Sequence, residues 1–143
     1  MSFEFPFEAV LNLRESLEAR EERTLEQTQN SVAQAQRAIE IASEDLRLIT
    51  ESMGSAAQKR VLAGHLQTME AQRKALQNKK EELLRTLLEC KNRHQQQIQR
   101  YQLARRDREV MSEMRDRQLA GYQLDLSRRD QKRIDDIFNS RRK

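Results

Sequence analysis

A chain of 143 residues with 35% charged and 36% apolar side chains, no Trp, three Gly and one Pro cannot fill a thick core. It also lacks the turn residues that punctuate a sheet-containing fold. Its net charge of +4 is unevenly divided, since residues 1–52 carry 5 basic and 11 acidic side chains while residues 53–143 carry 22 and 12.

The abundant Glu, Gln, Arg, Leu and Ala are strong helix formers. Their apolar companions recur at regular spacing, which argues against disorder over the body of the chain and less so at its two ends. Pro6 suits the first turn of a helix, because its fixed φ and missing N–H cost nothing there. From it runs a loose apolar stripe of Phe7, Val10, Leu11 and Leu17, followed by a stricter one. Leu25, Val32, Ile39, Leu46 and Met53 are seven apart, with Thr28, Ala35, Ala42 and Ile49 at the intervening positions. That is a coiled-coil seam, and it predicts a first helix over about 6–52.

Gly54, in Ser52-Met53-Gly54-Ser55, is suited to closing a helix in the left-handed conformation, so the chain is expected to reverse there. The spacing leaves open whether 53–65 is a turn or a short separate helix. A second seam starts at Leu62 and passes through Leu66, Met69, Leu76, Leu83, Leu87, Cys90, His94, Tyr101, Ala104 and Met111. It predicts a longer helix over about 66–138. Arg73, Lys80, Arg108 and Arg115 also fall on this seam, where their stems can lie along it with the charge reaching water.

An acidic helix beside a basic one favours an antiparallel two-helix coiled-coil hairpin, all-α and a single domain, over self-pairing of either helix. At about 1.5 Å per residue the helices span roughly 70 and 110 Å, leaving some 30 residues of the second past the end of the first. The apolar spacing there becomes irregular around Gly121, with Leu124, Leu126, Ile134, Ile137 and Phe138 under-buried in a two-helix monomer. It is the place to look for a partner.

Chemistry is sparse. His94 and Cys90 share a helical face, but two residues are better read as seam filling than as metal ligands, and His65 stands apart. No glycine-rich phosphate loop occurs, and solvated carboxylates on a rod have no pocket to tune them, so no enzyme activity and no cofactor is expected. The basic tail Arg128, Arg129, Lys132, Arg133, Arg141, Arg142 and Lys143 is interleaved with Asp130, Asp135 and Asp136. A solvated face therefore fits better than a nucleic-acid stripe. With no membrane-spanning run and no signal peptide, the chain reads as cytoplasmic, consistent with its lone Cys90.

The two ends together resemble the FliJ family, coiled-coil components of the bacterial flagellar type III export apparatus. The opening Phe3-Glu4-Phe5-Pro6-Phe7-Glu8-Ala9-Val10-Leu11-Asn12-Leu13-Arg14 is similar to the family's start. Arg129-Asp130-Gln131-Lys132-Arg133-Ile134-Asp135-Asp136-Ile137 is similar to its C-terminal signature. The resemblance implies a non-catalytic stalk, a monomer when free, that inserts into the hexameric ring of the export ATPase FliI and activates it. It further implies binding of the export gate protein FlhA, handling of empty export chaperones, and a peripheral place at the cytoplasmic face of the inner membrane through the export apparatus. Carried onto this chain, it points to Phe3, Phe5, Phe7, Gln131, Lys132, Ile134, Asp135 and Phe138 for the ring. His65, Leu66, Met69 and Leu76 would face the gate. The same Phe residues also read as a staple of the open end, and Met69 and Leu76 as seam. An injectisome stalk or a generic coiled-coil scaffold shares the architecture.

Overall fold

The computed structural model describes residues 2–142 and contains two α-helices, α1 (Glu8–Gln58) and α2 (Ala63–Arg141), with no strand among the described residues. The helices pack against each other as an antiparallel hairpin. The chain divides into two compact units, a central one of Arg23–Gln99 and a terminal one of Met1–Glu22 with Arg100–Lys143.

In the central unit the seam follows the seven-residue step closely. On α1 the covered positions are Leu25, Thr28, Val32, Ala35, Ile39, Ala42, Leu46, Ile49, Met53 and Ala56, with Ala35, Ala42 and Ala56 buried. On α2 they are Leu66, Met69, Arg73, Leu76, Lys80, Leu83, Leu87, Cys90, His94 and Gln97. Small Ala residues let the helix backbones approach, and the larger residues around them supply the apolar area that stabilises the pair. Gln97, passed over by a reading for apolar residues, is the most enclosed side chain of α2 at 4% exposure. Nearby, the Thr28 hydroxyl donates to the Leu25 carbonyl at 2.8 Å and lies 3.0 Å from His94 Nδ1. Its one hydrogen is thereby committed, so His94 Nδ1 carries the hydrogen of the second bond and donates to Thr28 Oγ1.

The reversal is not at Gly54. Helix α1 continues through that residue to Gln58, and the turn spans Lys59 to Leu62. The physical reason is visible in the repeat itself, because the step from Ile49 and Met53 lands next on Ala56, which a turn at Gly54 would have left uncovered. The helix closes in a Schellman arrangement. Arg60 adopts the left-handed conformation (φ 55°), and the Val61 N–H donates to the Ala56 carbonyl at 3.3 Å. No separate short helix forms between the two long ones. Leu62 does not begin the second seam; it is 83% exposed on the turn, where its carbonyl accepts from the His65 and Leu66 N–H groups.

The terminal unit follows the same step with different side chains. The expected stripe of Phe7, Val10, Leu11 and Leu17 keeps only Leu11 inside, at 2% exposure. Phe7, Val10 and Leu17 lie outside because the seam step from Leu25 runs back through Glu21, Glu18, Arg14 and Leu11, and polar residues occupy three of those places. Glu18 accepts two hydrogen bonds from Arg108, at 2.6 and 3.2 Å, and Arg14 donates to Asp107 at 3.0 Å. Glu8 lies 3.6 Å from Arg115, which is itself half exposed and not a seam residue in the strict sense. As the numbers on α1 rise from 8 to 14, their partners on α2 fall from 115 to 107, as an antiparallel pair requires.

Candidate functional site: the uncovered helical end

Residues 2–7 precede α1 and fold back over α2. Buried Phe5 meets the Phe7 ring edge-on with centroids 5.9 Å apart, and the Phe5 carbonyl accepts from the Glu8 N–H at 3.2 Å, starting the helix. The Phe3 ring meets that of Tyr122 at a tilt, with centroids 5.6 Å apart. This cover shortens the expected free stretch of some 30 residues. Every residue of α2 past Tyr122, 123–141, is exposed, about 30 Å of helix.

Gln131, Ile134 and Phe138 stand three and four residues apart, so they share one face of this end. Lys132 and Asp135 occupy the neighbouring face. The Gln131 amide donates to Asp135 at 3.0 Å, and the Arg142 guanidinium lies 5.9 Å from the Phe138 ring centroid. Leu124, Leu126 and Ile137 are exposed with them. The eight residues read for ring contact thus divide into three. Phe5 is a packing residue; Phe3 is half-buried and Phe7 exposed at the base; the remaining five lie on the free helix. This end thus leaves the apolar side chains of Ile134, Ile137 and Phe138 in solvent.

The four residues read for gate contact belong to the central unit. Leu66, Met69 and Leu76 are half-buried seam positions and His65 is exposed. At the turn, His65 and Met69 line a shallow hollow with Ala56, Val61, Ser55 and Lys59. Ala56 lies on the seam repeat, but Val61 and the hollow itself carry no signal in the sequence, since the hollow forms only because the helix passes Gly54.

Across the two helices, the hydrogen bonds from Arg108 hold the Glu18 pKa below its ordinary value, against a smaller opposing effect of burial. No described helix is long and apolar enough to cross a membrane.

Compared with known families, the chain matches the one described as Flagellar FliJ protein over residues 3–142. It belongs to the FliJ family. The match takes in both the Phe-rich start and the uncovered end, and membership ties this FliJ-family chain to flagellar protein export. No curated protein and no solved structure matches it.

Proposed function

We propose that the chain is a non-catalytic stalk and cofactor of flagellar type III export, a monomer when free. It assembles and activates the ring of the export ATPase FliI, couples that ring to the gate protein FlhA, and handles empty export chaperones. The observation that carries this reading is the uncovered helical end. A helix whose residues 123–141 are all exposed, with Gln131, Ile134 and Phe138 on one face and Lys132 and Asp135 beside them, suits a ring lumen better than solvent. Phe3 and Phe7 flank its base, and Phe5 anchors them. From the turn along the start of α2, exposed His65 and the half-buried Leu66, Met69 and Leu76 form the contact for the gate. The protein acts in the cytoplasm, held at the inner membrane by these partners.

The test is hydrolysis by the cognate export ATPase with and without the purified chain. Stimulation is expected, and it disappears when the chain is truncated after Tyr122. Absence of stimulation by the full chain, together with failure to co-sediment with either ATPase or gate, sinks the proposal.

A further inference from the structure

In the terminal unit the apolar side chains of α1 lie beside the seam, not in it. Arg14, Glu18 and Glu21 hold seam positions, while Val10, Leu13 and Leu17 are exposed. Val10 and Leu17 are seven apart and each directly precedes a seam residue, which puts both on one flank of the helix. On α2, Leu103 and Val110 are likewise seven apart, and 60% and 59% exposed. The two stripes meet at Leu17 and Leu103. Leu17 and Leu103 line a hollow of about 200 Å³ with half-buried Ala104 and the Arg14–Asp107 pair.

The charge available along this groove is positive. Asp107 is engaged by Arg14, Glu18 by Arg108, and Glu21 also has a partner. Arg100, which lines the hollow, and Arg106, which stands between Leu103 and Val110 on the same face, are exposed and make no ion pair among the described residues. Two aliphatic stripes at seven-residue spacing, edged by unpaired arginines, match one kind of ligand. An amphipathic helix with leucine-like residues toward the groove and carboxylates along its edges would cover the stripes and neutralise the arginines.

We propose that this flank of the terminal unit is a docking groove for an acidic amphipathic helix of a partner protein, which completes a three-helix layer over Leu17, Leu103 and Val110. The groove is separate from the uncovered end, and the inference stands whether or not the chain stimulates an ATPase.

The experiment uses the full chain and two fluorescein-labelled synthetic helices of leucine heptads, one with glutamate flanks and one with lysine flanks, read by fluorescence anisotropy. The glutamate helix is expected to saturate. Leu103→Glu should weaken it by about tenfold or more, as for a central contact residue, with Leu103→Met retaining binding. Arg106→Glu should reverse the preference between the two helices. Circular dichroism of each variant confirms the fold, which exposed positions tolerate. Equal binding of both helices overturns the proposal. So does loss of binding in Ile134→Glu but not in Leu103→Glu, which would move the ligand to the uncovered end. A concentration-dependent mass in sedimentation equilibrium that Leu103→Glu abolishes would also overturn it, by assigning the groove to a second copy.

Discussion

The central and terminal units share one seven-residue step and fill it with opposite chemistry. Between Leu25 and Ala56 the seam of α1 is apolar apart from Thr28, so the two helices satisfy each other. Unit surfaces there still expose Ile41, Leu48, Leu84 and Leu88, but over a seam that is complete. Between Leu11 and Glu21 the seam turns ionic, and the aliphatic residues move to its flank. The difference teaches that heptad phase fixes which residues meet, while the identity of those residues decides whether the pair needs anything else. The central unit is a strut. The terminal unit pairs its helices through Leu11 and a few ion pairs and leaves the aliphatic residues of its flank exposed.

Four measurements break or sharpen that contrast. The largest effect is expected at Leu11, where the terminal unit has its one fully enclosed large side chain. Leu11→Ala should cost about 2–4 kcal/mol, read from the urea midpoint, because little else there can refill the space. If the terminal unit were held mainly by its ion pairs, the loss would be far smaller.

Next comes Glu18–Arg108. Arg108→Met leaves a partly buried carboxylate without its two donors and should cost about 1–2 kcal/mol, less than for a dry pair because water reaches both groups. The pH dependence has a definite sign. Since the folded-state pKa of Glu18 lies below the ordinary 4.5, its contribution is complete above pH 4.5 and is lost as the pH falls through the lowered value. Thermal melts of Glu18→Gln between pH 3 and 6 should show a shallower acid decline than the parent.

A smaller effect tests the polar contact of the central unit. Thr28→Val alone strands the His94 Nδ1 hydrogen and should cost about 1 kcal/mol, whereas Thr28→Val with His94→Leu should be close to neutral or stabilising. A double-mutant cycle in urea separates the two. The smallest is Gly54→Ala, expected to stabilise by about 0.5–1 kcal/mol, since the residue is helical and nothing lies within 4 Å of an added Cβ. Destabilisation there would return the chain reversal to Gly54.

Much of the fold was legible because period is a property of sequence. Every covered position of the central seam obeys the step, including Ala56, which a reading drawn to Gly54 passed over. Gln97 was missed for a similar reason, as a search for apolar residues does not register a polar one at a seam place. The candidate end was legible as well, from the failing period beyond Gly121. Its true start was not, because it depends on Phe3 reaching Tyr122 across 119 positions of chain.

The sequence by itself determined two long helices, their antiparallel pairing, and most of the residues that share the central seam, because helical periodicity is a local property of the chain. Only the tertiary structure decided where α1 ends, how far the Phe-rich start covers α2, and that Leu17 and Leu103 border one hollow. Those depend on which turn closes with the seams in phase, and on which flank of one helix faces which flank of the other, a relation that no single helix carries in its own spacing.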